Sequence, residues 1–233
     1  MFFLIHAAFD FLAAVASLSL TIVIYRWRLS DEPAKLHVTR TGYAIALVGG
    51  AVFGGFSTGT FNLWLTDIPG IGRSIVGALF GAILFIEIYK RSRGITGSTG
   101  LIFVPAFTVS VIVGRWGCFL SGLEDHTYGT ETSLLWAFDF GDGLGRHPVQ
   151  LYESFAMVLF LGMALISFAR RSSFFMSNGF YLLVVYYGSQ RFLWEFLKPY
   201  AVVAGPFNLF HLVCVALVLY GISMMILTGR KHD

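Results

Sequence analysis

Seven stretches of near-continuous apolar residues, separated by short polar connections, dominate the chain: 3–25, 42–60, 71–89, 101–121, 148–169, 178–197 and 206–227. Each is close to the roughly 20 residues an α-helix needs to cross about 30 Å of hydrocarbon, so the pattern predicts an all-α, polytopic membrane bundle of seven transmembrane helices. The longest connection, 122–147, is too short for a separate soluble domain. The chain therefore reads as a single transmembrane domain, 1–233, with 122–147 as a small head or lid. Inside that connection, residues 133–138 suit a short strand or interfacial lid, and Gly141-Asp142-Gly143-Leu144-Gly145 suits a turn-rich hinge. The glycine pairs Gly50/Gly54, Gly55/Gly59 and Gly77/Gly81 have the spacing that lets helices approach closely in lipid.

Composition agrees with this reading, since 56% hydrophobic and only 12% charged residues lie outside the range of a soluble domain. The net charge of +3 is mainly a topology signal and carries no argument for nucleic acid. The connections 26–41, 90–100, 170–177 and 228–233 hold 11 of the 16 Lys and Arg, Lys35, Arg230 and Lys231 among them. The positive-inside rule then predicts a cytoplasmic C-terminus and an outer N-terminus. The first apolar run lacks a basic leader and is longer than a signal peptide's, so it is expected to be retained. Two cysteines, Cys118 and Cys214, exclude a disulfide framework and have no metal-binding spacing. The outer loop's acids and histidines lack the i,i+4 spacing of a helical zinc motif, and neither a metal nor a cofactor is expected.

Against this background the polar residues inside apolar segments mark candidate chemistry, because each costs several kcal/mol in hydrocarbon unless it faces a cavity or a partner. The remaining five cations, Arg73, Arg115, Arg146, Arg191 and Lys198, all fall near outer helix ends. A shared anionic ligand would account for them. Three segments concentrate the chemistry. In Gly114-Arg115-Trp116-Gly117-Cys118-Phe119-Leu120-Ser121, glycines beside an arginine suit backbone and guanidinium recognition of a phosphate. In Arg146-His147-Pro148-Val149-Gln150-Leu151-Tyr152-Glu153-Ser154, the proline suits the first helical position, His147 the cap, and Gln150, Glu153 and Ser154 share a face. In the third, Tyr187, Arg191, Trp194, Glu195 and Lys198 fall on one helix face, with Arg191 and Glu195 as an i,i+4 pair. Convergence of Arg115, Arg146 and Arg191 on one phosphoester pocket is the central expectation. His6 with Asp10, and Asn208 with His211, are further polar pairs near outer ends, suited either to proton relay or to contacts between helices.

These motifs, in this order, resemble the prolipoprotein diacylglyceryl transferase family, multi-pass enzymes of the bacterial cytoplasmic membrane. Gly114-Arg115-x-Gly117-x-Phe119-x-x-Gly122 is similar to the family signature. Arg146-His147-Pro148-x-Gln150-Leu151-Tyr152-Glu153 and Tyr187-Gly188-x-x-Arg191-Phe192-x-x-Glu195-Phe196 are similar to its later motifs. The resemblance implies transfer of a diacylglyceryl group from phosphatidylglycerol, or another anionic phospholipid of the bilayer, to the cysteine thiol of a membrane-tethered acceptor. It implies catalytic roles for Arg115, His147, Arg191 and Glu195, with Arg115 and Arg191 stabilising the departing phosphoester and His147 or Glu195 accepting the thiol proton. Substrate contacts would come from Arg146, Gln150, Tyr152, Glu153, Tyr187, Gly117, Ser121, Lys198 and His211. The chain departs from the family at its His-Gly-Gly-Leu stretch, here Val76-Gly77-Ala78-Leu79. Cys118 and Ser121 stand for asparagines, and His211 for a glutamine. Two rivals remain at this point: a paralogue that moves the lipid or phosphoglycerol group to another lipid, a glycan or water, and a lipid-binding or translocating protein without catalysis.

Overall fold

The structure, a computed structural model, describes residues 2–30 and 40–229. Lys35, Arg230 and Lys231, which entered the orientation argument, lie outside the described residues. Of the described residues 72% are helical, in α1 (Phe2–Ile24), α2 (Thr41–Leu65), α3 (Ile75–Ser92), α4 (Phe103–Ser121), α5 (Val149–Ala169), α6 (Ser173–Glu195) and α7 (Leu209–Gly229). The helix α1 continues through a wider turn to Leu29. Five helices, α1, α2, α4, α5 and α7, are long and apolar enough to cross a membrane. The other two fall short by composition: α3 ends in Glu87, Lys90 and Arg91, and α6 carries Asn178, Gln190, Arg191 and Glu195.

Local chemistry sets the boundaries. The Ser74 side chain accepts from the Gly77 N–H at 3.1 Å and starts α3, and Ser172 does the same for α6 through Phe175. Gly122, at φ 68°, ends α4 in a conformation other residues rarely adopt. Helix α5 starts one residue later than expected, because Pro148 rather than His147 occupies the cap position. Helix α2 outruns the 42–60 expectation to Leu65, and α6 begins five residues before 178, with Ser172 capping a first turn of Ser173, Phe174, Phe175 and Met176.

Packing is by small residues and a buried apolar seam. Helices α2 and α3 run antiparallel in close contact: a methyl group added at Gly54 would lie 2.8 Å from the Gly81 Cα and collide with the Gly77 carbonyl. Helix α4 packs against α1 and α5, α6 against α5 and α7, and α3 meets α7. Met157 and Phe160 of α5, Leu183 and Tyr187 of α6, and Cys214 and Leu217 of α7 form the centre of the core. Gly54→Leu is expected to lower stability by at least about 1–3 kcal/mol, because the clash is with backbone that cannot swing aside. Gly49→Leu, where nothing lies within 4 Å, should leave the thermal midpoint in detergent unchanged.

Connection 122–147 forms the head. Strand β1 (Phe138–Asp139) pairs antiparallel with β2 (Gly145–Arg146), matching Phe138 to Arg146, and the expected glycine-rich turn closes the hairpin. Residues 130–132 add to the other edge through His147 N–H to Thr130 O and Thr132 N–H to Gly145 O. A second short hairpin, β3 (Val202–Ala204) with β4 (Phe207–Asn208), joins α6 to α7 beside the head.

Candidate functional site

At the head end, α4, α5 and α6 bring five charged side chains together with almost no exposure: Arg115, Glu153, Arg191, Glu195 and Lys198. Glu153 is the hub. It lies on the buried face that Gln150 and Ser154 share, and its carboxylate meets Arg115 Nε at 2.7 Å, Lys198 Nζ at 2.8 Å and Arg191 Nη1. Arg191 reaches Glu195 through Nε at 2.6 Å, and Lys198 lies 3.5 Å from the same Glu195 oxygen. Asn208 donates to the other Glu195 oxygen at 3.1 Å. Three cations thus face two carboxylates, leaving one positive charge in excess. In a low-dielectric interior an uncompensated charge is costly, so the cluster has the charge to accommodate one more anion.

The cluster forms one wall of a cavity of about 620 Å³. Arg115 and Arg191 line it with Tyr200 and Phe210, while Gly114, where an added methyl would touch nothing within 4 Å, leaves its side open. His6, Cys118 and Asp125 line it as well, Cys118 Sγ lying 3.8 Å from Arg115 Nη1. A second cavity of about 270 Å³, mainly apolar, extends toward the opposite end of the bundle. Ile75, Ala78 and Ser110 line both, so the two cavities adjoin.

Several residues singled out by sequence sit elsewhere. Arg146 does not join Arg115 and Arg191, which corrects the three-arginine expectation: Asp142 holds it through Nε at 2.9 Å and Nη2 at 2.7 Å, and its guanidinium stacks 5.1 Å above the Tyr128 ring. Those bonds hold the Asp142 carboxyl below the usual carboxylate range. Gly117 packs on Phe9 of α1, where an added methyl would come within 2.6 Å. Because α4 continues to Ser121, the amide hydrogens around Gly117 belong to the helix and are not available to a phosphate. His211 completes a reciprocal cap with Asn208, accepting from the Asn208 N–H at 3.1 Å while the Asn208 side chain accepts from its own, and Phe192, Phe196 and Phe207 enclose its ring. The cap occupies Nδ1, while the buried Nε2 has no hydrogen-bond partner among the described residues. His147 and Tyr152 form a separate group with Trp136, whose indole donates to the Tyr152 hydroxyl at 2.7 Å. Neither lines the cavity. Gln150 donates to Thr127 at 3.3 Å, and the buried hydroxyls of Tyr187 and Ser121 have no hydrogen-bond partner among the described residues. Arg146→Ala is expected to loosen the hairpin, read as faster proteolysis within 131–146, while lipid binding is retained.

The cavity's remaining residues carried weaker sequence signals. Only the i,i+4 spacing of His6 and Asp10 was readable, and Nδ1 of His6 does lie 3.1 Å from Asp10. Arg73 follows at 3.3 Å from the same carboxylate. Asp125 and Tyr200 had no periodic pattern to mark them.

A family model described as prolipoprotein diacylglyceryl transferase matches residues 8–227. The chain belongs to that family. It is similar to a phosphatidylglycerol--prolipoprotein diacylglyceryl transferase of Finegoldia magna, 30% identical over 165 residues, covering 70% of this chain and 64% of the relative. The corresponding protein of Geobacter sulfurreducens is 34% identical over 170 residues, covering 69% and 63%. That of Nitratidesulfovibrio vulgaris is 30% identical over 202 residues, covering 82% and 72%. The chain spans less than two thirds of the length of the first two. No solved structure matches. Family membership and five membrane-capable helices make the chain a multi-pass membrane protein.

Proposed function

We propose that the chain is a phospholipid-dependent transferase that moves the diacylglyceryl group of phosphatidylglycerol to a cysteine thiol of a membrane-tethered prolipoprotein or related acceptor. The observation that carries this reading is the excess cation of the Arg115–Arg191–Lys198 cluster, two of whose arginines line a cavity that adjoins an apolar one. That shape and charge suit an anionic amphiphile, with phosphate in the chamber and acyl chain beyond it. The substrates named for the family relatives are a lipid and a protein of this kind. All seven helices are proposed to cross the bacterial cytoplasmic membrane, with the head and cavity at the outer leaflet. The basic residues Arg26, Arg93 and Arg171 then sit on the cytoplasmic side.

The chemistry follows from the charges. A thiolate sulfur forms a bond to the glycerol carbon, and the bond from that carbon to the phosphoester oxygen breaks. The electron pair departs with glycerol phosphate. Charge grows on the leaving oxygen, and preorganised guanidinium groups at Arg115 and Arg191 stabilise it more than they stabilise the intact diester. Each guanidinium carries five N–H donors in a fixed fork, more than its carboxylate partners use. Glu153 and Glu195 hold the two forks and the Lys198 ammonium in place. The carboxylates are therefore positioning residues, and Glu195, already bonded to three neighbours, is poorly placed to take the thiol proton.

The reading is tested with phosphatidylglycerol labelled either in the acyl chains or in the head group, incubated with the purified chain and a membrane-anchored lipobox peptide. Acyl label on the peptide cysteine, with head-group label released as glycerol phosphate, is the expected result. Head-group label on the acceptor contradicts it, as does neither label moving.

A further inference from the structure

One group of chemistry-bearing residues has no part in the phosphate cluster. His6 near the start of α1, Cys118 in the last turn of α4 and Asp125 just beyond that helix's end place an imidazole nitrogen, a sulfur and a carboxylate oxygen within 4.8 Å of one another. His6 Nε2 lies 3.1 Å from Asp125 Oδ1 and 3.9 Å from Cys118 Sγ. All three residues line the 620 Å³ cavity and are only partly buried.

We infer that His6, Cys118 and Asp125 form a site for a divalent transition-metal ion of the zinc class, with its fourth position open to the cavity. Tetrahedral zinc with such ligands separates them by about 3.3–3.6 Å, so the observed spacings need only small adjustments. Imidazole with thiolate is a donor set that favours zinc over magnesium or calcium. The charges balance, since one thiolate and one carboxylate neutralise a dication, which is the form a low-dielectric setting favours.

Each ligand also has the outer support that metal ligands need. Nδ1 of His6 lies 3.1 Å from Asp10 Oδ2 and 3.3 Å from Arg73 Nη2, and Arg73 also meets Asp10 at 3.3 Å, so the ring is held with its Nε2 edge toward Asp125 and Cys118. The Thr127 hydroxyl donates to Asp125 Oδ2 at 2.6 Å, aiming Oδ1 at His6, and Gln150 holds Thr127 in turn. Arg115 Nη1 points at the Cys118 sulfur from 3.8 Å. No spacing within one segment reveals this set, because the ligands come from the first helix and from two sides of a helix end more than a hundred residues later.

This deepens the transferase reading and rests on it in one respect: the open position would hold the acceptor sulfur. A zinc ion held by these three residues would lower the acceptor thiol's pKa, the proton passing to solvent, and the thiolate would then lie beside Arg115. Three protein ligands with one vacancy are the arrangement that catalytic zinc requires.

The test uses the full chain purified in detergent and cobalt(II) or zinc(II) alone. Cobalt is expected to bind at one ion per chain with a thiolate-to-metal charge-transfer band. Cys118→Ser should lose the band, His6→Ala should lose binding, and Asp10→Asn should weaken affinity about 10–100-fold. In the unaltered protein zinc should protect Cys118 from a maleimide, the other cysteine, Cys214, being buried. Failure to bind cobalt, binding that survives both ligand substitutions, or maleimide labelling unaffected by zinc would each overturn the site. A lipobox peptide thiol should then shift the cobalt band, and an unshifted band would overturn the sulfur-holding role. Metal bound without transfer would sink the transferase reading and leave the site standing, and transfer at full rate in chelated, metal-free protein would sink the sulfur-holding role while leaving the transferase reading intact.

Discussion

Arg191→Lys is expected to lower turnover by about 10²–10³-fold, or roughly 3–4 kcal/mol of barrier, the scale seen when one preorganised donor to a developing negative charge is removed. The substitution keeps the positive charge, and with it the balance against Glu153 and Glu195. What disappears is the planar fork that holds Glu153 with one nitrogen and Glu195 with another while lining the cavity. The protein should therefore unfold near its original midpoint and still bind phosphatidylglycerol, with the loss confined to kcat. Single-turnover transfer to a lipobox peptide separates these quantities. Turnover within a few-fold of the original would show that Arg191 serves only as a structural ion pair. Arg115→Lys should behave similarly, since Arg115 reaches the same Glu153 from the other side.

Glu153→Gln should act on stability before it acts on turnover. Glu153 is fully buried and meets Arg115, Arg191 and Lys198 at once. Neutralising it raises the cluster's excess from one positive charge to two, and breaking a buried ion pair from one side costs about 3–5 kcal/mol. A second change, Lys198→Met, returns the excess to one. The double variant is accordingly expected to recover much of the lost thermal midpoint, whereas two independent defects would add. Strict additivity would mean that the three cations do not share Glu153 as the geometry shows.

How much of this was legible in sequence depended on the range of the signal. Helix existence was, because each apolar run is long and local, and the Gly50/Gly54 and Gly77/Gly81 spacings marked the contact of α2 with α3 that the structure shows. The Arg191/Glu195 pair was legible for the same reason, being one turn apart on one helix. Glu153 was readable as a buried polar residue, although its role as hub was not: its partners come from α4, from α6 and from the turn after it. Arg146 misled because an arginine beside a helix start looks the same whether it faces a ligand or closes a hairpin, and only the fold brings Asp142 to it. The cap that His211 makes with Asn208 was not legible either, since it depends on where α7 begins. The set of His6, Cys118 and Asp125 had no pattern to find, its members being joined solely by the packing of α1 on α4.

The claim on which the rest depends is that a phospholipid phosphate enters the cavity beside Arg115 and Arg191. Photo-crosslinking tests it most directly, using phosphatidylglycerol with a diazirine in the head group and the full chain in lipid, with labelled residues mapped by mass spectrometry. Labels are expected on cavity residues such as Gly114, Tyr200 and Phe210, and they should fall sharply in the Arg115→Met/Arg191→Met double variant. Labels confined to the lipid-facing surface or to the Asp142–Arg146 hairpin, unchanged in that variant, would contradict the account.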